Sequence, residues 1–264
     1  MKDDRQFVTA LARGIEVLRC FTAERPELGT TEIAAMTGLP QPTVWRLCHT
    51  LLKLGYLQTV RNGEKLRVGL SVLSLGYAAM TQRDFRVSAL PLMREVADEF
   101  DASVSLAVRN QLAMVIVQRA EAQRVLRLNL HVGSELAIER SALGCAYLAR
   151  IDAAERERLI AACSARVYPD AAIALRRFVE DAVRQYERTG YVLNLRHYHP
   201  NVNAIGVPVV SSDGRTVMAL NCGGADTVVT QEILTGPLAG RLQEIAAQIG
   251  AMLPATGPAR ADTD

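Results

Sequence analysis

An α+β fold in two unequal parts is what this sequence predicts, and three observations predict it. The first stretch, up to about Val68, alternates helical periodicity with a single strand–turn–strand signal. From Phe85 onward, short β-rich runs fall in two groups with helices between them, the pattern of a mostly antiparallel sheet packed by helices. The chain has 264 residues, about the size of two ordinary domains, and 49% of them are hydrophobic, ample for a core.

The elements follow in order. Val8, Leu11, Ile15 and Leu18 recur at helical spacing with Phe21 a turn on, and Arg13, Glu16 and Arg19 take the other side, so the first helix is amphipathic. Pro26 and Gly29 bound a loop, Thr30 is an expected N-cap, and Ile33, Ala34 and Leu39 form the buried side of a second helix that ends at Gly38. A third helix opens near Gln41, where Pro42 is tolerated because first-turn N–H groups lack intrahelical partners. Gly55 stops it. Tyr56–Val60 and Lys65–Val68 read as two strands joined through Asn62-Gly63, residues that both accept positive φ.

Helix, tight turn, helix and hairpin in this order make a winged helix-turn-helix over residues 1–68, and the third helix says what it touches. Val44, Leu47, Leu51 and Leu54 form one stripe; Pro42, Trp45, Arg46, His49 and Lys53 form the opposite one. A solvated face needs no tryptophan, and arginine can donate in pairs to guanine or grip a phosphate. The alternative for Trp45 is a partly buried core or interface position. From Gln41 to Val68 there are five bases and one acid, although the whole chain carries a formal charge of only +2. Helix N-termini also suit phosphate. The candidate DNA contacts are Thr31, Gln41, Pro42, Thr43, Trp45, Arg46 and His49, with Arg61 and Lys65 reaching the backbone from the wing.

Residues 69–83 have the periodicity of an apolar helix through Leu70, Leu73, Tyr77 and Met80, read as a linker that also contacts a second copy of the chain. Residues 84–253 make the second domain. Helices are expected from Phe85 to Phe100, Ser141 to Ala149, Asp152 to Cys163, Ala171 to Thr189 and, as one long element, Thr230 to Leu253. Strands are expected at Ser103–Arg109, Ala113–Arg119, Val125–Leu130, Tyr191–Arg196, Asn203–Val210 and Thr216–Cys222, with a turn at Asp213-Gly214. Residues 254–264 read as a disordered tail.

Five cysteines, odd in number and without a CxxC, fit reduced thiols rather than a disulfide framework or zinc site. No secretory or membrane-spanning segment is recognisable, so a soluble cytoplasmic protein is expected. None of the motifs GxSxG, HExxH, P-loop or GxGxxG occurs. His197 and His199 lack a third ligand of clear spacing, and Cys145 and Cys222 lack an evident base. A ligand- or metal-binding enzyme-like domain fused to a DNA-binding module is the alternative; no enzyme activity and no cofactor are expected.

The ordered set ALARGIEVLRCF, TTEIAAMTGLPQPTVWRLCHTLLKLGYL, RVGLSVLSLG, SALGCAYLA, TGYVLN and VNAIGVPVVSSDGRTVMAL resembles the IclR family of bacterial transcriptional regulators over nearly the full length. The resemblance implies a linker helix that dimerises, a GAF-like C-terminal domain that binds a small metabolite, and a homodimer or homotetramer on double-stranded operator DNA. It implies effector contacts at Ala142, Leu143, Gly144, Asn194, His197, Ala204, Asn221 and Gly223. This chain departs from the family pattern with Ala137-Ile138-Glu139 for proline–leucine–histidine, Cys145 for lysine, Asn194 for an acid, Ala204 for cysteine, and Asn221-Cys222-Gly223-Gly224 for serine–x–serine–glycine. Asn194 and Asn221 are read as amides on neighbouring strands, and first-turn N–H groups of the Ala142–Ala149 helix as a carboxylate seat, so a small organic acid, aliphatic or aromatic, is the expected effector. The alternative is that both are satisfied core amides.

Overall fold

The computed structural model describes residues 6–22, 24–81, 85–122 and 129–253. It divides into two compact units, one running to residue 82 and one from residue 83. The tail at 254–264, the Arg83 end of the linker helix and most of the strand expected at Val125–Leu130 lie outside the described residues.

In the first unit, α1 (Thr9–Arg19), α2 (Thr30–Thr37) and α3 (Gln41–Lys53) close over Val17, Ile33, Val44 and Cys48. The expected stripe of α1 is corrected. Leu11 and Ile15 are 64% and 49% exposed, and the helix enters the core through Val17 and Cys20. Spacing marks an apolar stripe, but only packing decides which part of it a neighbour covers. The cap of α2 is corrected as well. Thr30 lies inside the helix, and the Gly29 N–H donates to the Glu32 carboxylate at 2.6 Å, a partner reaching back from the first turn. Gly38 ends α2 in the left-handed conformation, as its place in the sequence requires.

The wing is β1 (Leu57–Val60) against β2 (Lys65–Val68), antiparallel with Leu57 opposite Val68 and Val60 opposite Lys65. Its tip is a four-residue loop between the paired Val60 and Lys65, longer than a two-residue turn, in which Arg61, Asn62 and Gly63 form one 3₁₀ turn and all have positive φ. The loop before α2 adds a bridge. Leu28 and Leu66 exchange both backbone hydrogen bonds, at 3.0 and 2.9 Å. A helix α4 (Ser71–Thr81) follows, with Leu73, Leu75 and Tyr77 exposed.

The second unit opens with α5 (Phe85–Glu99) and then builds one six-stranded, wholly antiparallel sheet. Its strands are β3 (Ser103–Asn110), β4 (Ala113–Glu121), β5 (Glu135–Ala137), β6 (Val192–Leu195), β7 (Val202–Val210) and β8 (Val217–Ala225), in the order β5-β4-β3-β8-β7-β6. Between β5 and β6 run α6 (Ala142–Arg150), α7 (Ala153–Ser164) and α8 (Pro169–Thr189). The Asp152 carboxylate caps α7, accepting the Ala154 and Glu155 N–H groups at 2.9 Å.

The long helix expected at Thr230–Leu253 is two helices, α9 (Gln231–Thr235) and α10 (Pro237–Met252). Gly236 breaks it at φ −101, ψ −115, since the residue before a proline is pushed out of the helical region. Alternation sorts the strands into two faces. Val104, Leu106, Ile205, Val207, Leu220 and Cys222 point into a core shared with α5 and α10. The opposite face is covered by α6 and α8, with Met114, Ile116, Leu143 and Val179 in its core. The second face carries the polar residues that matter below.

Candidate functional site

In the first unit the stripe of α3 opposite Val44 and Cys48 is open. Trp45 is 58% exposed and its ring stacks on His49, with centroids 5.3 Å apart and planes 15° from parallel. That excludes a core position within this unit. Arg46 is exposed on the same stripe, Pro42 sits in the first turn, and Gln41 Nε2 donates to Thr31 Oγ1 at 3.1 Å, joining the first turns of α2 and α3.

The wing bases behave differently from the expectation that they reach outward. Arg61 Nε lies 2.6 Å from Glu27, and Lys65 Nζ lies 3.2 Å from Glu32. The hydrogen bond that Arg61 donates to Glu27, and then the charge of that carboxylate, raise the guanidinium pKa of Arg61. The Glu32 carboxyl is held below its usual range, first by the Gly29 N–H and then by Lys65. Both acids sit outside the basic stretch of the sequence, on the segment that folds back against the wing, so a count by position overstates the charge offered there.

In the second unit, Ala142, Asn194, Ala204, Asn221 and Gly223 are brought together around one narrow pocket on the α6 face of the sheet, with a cavity volume of about 40 Å³. Ser103, Arg119, Leu130, Leu136, Ser141, Tyr198 and Val202 complete its wall. Leu143 and Gly144 are instead in the packing behind it. Leu143 is fully buried in the core, and a Cβ on Gly144 would lie 1.9 Å from the Ile138 carbonyl oxygen. His197 stacks on Phe178, with centroids 3.8 Å apart, and lies outside the pocket lining. Burial, and then the charge of Arg140, depress its pKa.

The two asparagines part company. They are not on neighbouring strands, because β7 runs between β6 and β8. Asn194 is a satisfied amide: its Nδ2 donates to the Arg140 carbonyl at 2.7 Å and its Oδ1 accepts the Tyr198 N–H at 2.9 Å. It ties the corner before α6 to the loop after β6. Asn194→Asp keeps the acceptor and loses the donor, so it is expected to destabilise the second unit by about 1–3 kcal/mol in urea unfolding; unchanged unfolding would show that the loop is held by other contacts. Asn221 Oδ1 is buried and has no hydrogen-bond partner among the described residues.

The start of α6 is partly spent on itself. Ser141 Oγ accepts the Gly144 N–H at 3.0 Å and donates to the Ala137 carbonyl at 2.8 Å. The cation of the pocket is Arg119, whose side chain is 8% exposed, and its Nη1 donates to Ser105 Oγ at 2.6 Å. The register explains the grouping, since Arg119, Ser105 and Asn221 stand opposite one another on β4, β3 and β8. Arg119 was missed in the sequence because a strand arginine normally faces water. The available signal was the pair Ser103-x-Ser105, two small polar residues two apart in an otherwise apolar strand. Thiol chemistry is disfavoured here: burial pushes both Cys145 and Cys222 up to about 12. Among the described residues no three His, Cys, Asp or Glu are placed to hold a metal ion, and no helix is long and apolar enough to cross a membrane.

Comparison with known proteins bears on both units. Residues 10–61 match the IclR helix-turn-helix domain, and residues 77–251 match the bacterial transcriptional regulator IclR C-terminal domain. The crystal structure of an IclR family transcriptional regulator from Brucella abortus has a TM-score of 0.81 at 38% identity, covering 96% of this chain and 95% of that one. The HTH-type transcriptional regulator TsaQ1/TsaQ2 of Comamonas testosteroni is 29% identical over 95% of this chain and 90% of its own length. The p-hydroxybenzoate hydroxylase transcriptional activator of Acinetobacter baylyi is 27% identical over 82% of this chain and 81% of its own.

Proposed function

The chain belongs to the IclR family of bacterial transcriptional regulators, and from that premise we propose that it binds operator DNA through α3 as a homodimer and is switched by a small organic acid held on the sheet of its second unit. The observation that carries the ligand half is the presence, in the wall of one largely apolar pocket, of both the Arg119 guanidinium and the Asn221 Oδ1, which has no partner among the described residues. A buried acceptor without a partner is costly, and a ligand donor supplies the missing bond. The guanidinium supports an anionic group on the same molecule. The relative named for activating p-hydroxybenzoate hydroxylase makes aromatic acids the first compounds to screen.

For the DNA half, the Trp45–Arg46–His49 stripe is the surface offered to a major groove, and two copies present two such stripes to a near-palindromic site. The ligand acts by binding two states of the dimer with different affinity.

Gel shift on the DNA upstream of the gene tests the helix assignment. Arg46→Ala is expected to weaken specific binding by about 1–3 kcal/mol, close to tenfold or more, and to reduce the salt slope by about one if Arg46 grips a phosphate. Specific binding that survives Arg46→Ala unchanged removes α3 from the recognition role.

A further inference from the structure

We propose that Glu121 is a built-in competitor for the ligand: its carboxylate holds the guanidinium of Arg119, a residue of the pocket wall, and an incoming acid binds by taking Arg119 over and releasing Glu121 to solvent. The proposal rests on the reading of the pocket as an organic-acid site and names what Arg119 is paired with when no acid is present.

The geometry sets up an exchange. Arg119 and Glu121 are two apart on β4 and therefore share its face, opposite Ser105 and Ser103 of β3. One oxygen of Glu121, Oε1, lies 2.8 Å from Nε and 2.7 Å from Nη2 of Arg119. Both contacts fall on a single oxygen, so the pair does not form the two-oxygen fork that a free carboxylate can make with a guanidinium. Nη1 is anchored independently by Ser105 Oγ, which keeps the guanidinium in place when its anion changes.

The two partners also differ in what they need. The Arg119 side chain is 8% exposed, whereas that of Glu121 is 31% exposed. A buried guanidinium requires an anion, while a carboxylate at the last residue of a strand can be hydrated. Replacing Glu121 by a ligand carboxylate leaves the buried cation paired throughout. Arg119 lines the pocket and Glu121 does not, so the internal carboxylate grips the guanidinium from outside the lining and leaves the cavity itself free for the acid that takes Arg119 over. The same arrangement discriminates against neutral analogues, which cannot displace an internal carboxylate from a guanidinium.

The test is titration calorimetry on the full-length protein and its Glu121→Gln variant, with benzoate, 4-hydroxybenzoate and pyruvate as probes and their carboxamides as neutral controls. Glu121→Gln is expected to bind at least one acid about tenfold more tightly than the unaltered chain, with no gain for its carboxamide, because the internal anion is gone and Ser105 still holds Arg119. Equal affinity of both forms for an acid, or weaker binding by the variant, overturns the exchange while leaving the acid site standing. Binding of carboxamides in place of acids, or of none of the probes by either form, overturns the organic-acid reading and the exchange with it. Arg119→Lys, which keeps the charge and loses the fork, separates the two further: it is expected to abolish the preference of Glu121→Gln for acid over amide, and retention of that preference places the anion seat elsewhere.

Discussion

Gly144→Ala is expected to cost the second unit about 3 kcal/mol or more, a large share of the marginal stability of a folded domain. A Cβ at residue 144 would stand 1.9 Å from the carbonyl oxygen of Ile138 and 2.4 Å from its carbonyl carbon. Those neighbours are backbone, not the end of a flexible side chain, so the clash is relieved only by moving α6 away from the segment that leads into it. Moving α6 disturbs its other close approach, where a Cβ on Gly206 of β7 would lie 2.3 Å from the Ala142 carbonyl oxygen. The helix is pinned between two backbone contacts, and the pocket lies at its N-terminal end. Urea unfolding followed by far-UV circular dichroism measures the loss. Gly240→Ala, in α10 where a Cβ meets nothing within 4 Å, serves as the control and is expected to be neutral or stabilising by up to about 1 kcal/mol. A Gly144→Ala protein as stable as the control would mean that α6 does not need its approach to Ile138.

Local signals were legible where one residue type solves one backbone problem. Gly38 and Gly190, both left-handed at the ends of α2 and α8, and Asp152 at the cap of α7 could be placed from the sequence alone. So could the antiparallel sheet, because alternation fixes which side chains share a face. What could not be read depends on segments distant in sequence. Glu27 and Glu32 neutralise the wing bases only because Leu28 bridges to Leu66, and no local pattern announces that bridge. The family resemblance implies a ligand contact at Gly144, whereas in the fold its smallness serves the packing of α6 against Ile138. Asn194 and Asn221 look alike in sequence, and only the carbonyl of Arg140, 54 residues away from Asn194, makes one of them a satisfied core amide. Arg119 shows the same limit from the other side: a strand register across β4, β3 and β8 was needed to turn a surface-type residue into the cation of a pocket.

Leu11→Glu is expected to convert the proposed dimer to a monomer and to lower operator affinity about a hundredfold or more, while leaving the melting of the chain nearly unchanged. The argument starts from the part of α1 that its own unit leaves uncovered. Leu11 and Ile15 border a groove with Leu51 and Leu54 of α3 and Leu75 of α4, and Leu54 is itself 60% exposed; Trp45, Arg46 and His49 line the same groove, so the partner closes only its leucine side and leaves that stripe to DNA. Apolar residues at helical spacing that stay open in one copy of a chain are an unfavourable surface in water unless a partner closes it. A two-fold operator supplies the symmetry of that partner, since a contact that is the same on both copies sets two α3 helices at a fixed separation. A charge at position 11 is hydrated in the single copy, so folding is little affected, but its burial in the paired surface is opposed by desolvation. The loss in affinity then follows from linkage: a monomer grips one half-site and forfeits the effective concentration that tethers the second. Light scattering on the eluting protein and gel shift on the same preparation read the two effects together. A Leu11→Glu protein that remains dimeric places the interface elsewhere. One that is monomeric yet binds its operator as before would mean that α3 acts without the spacing a dimer imposes, and the two-fold reading of the DNA site would fall with it.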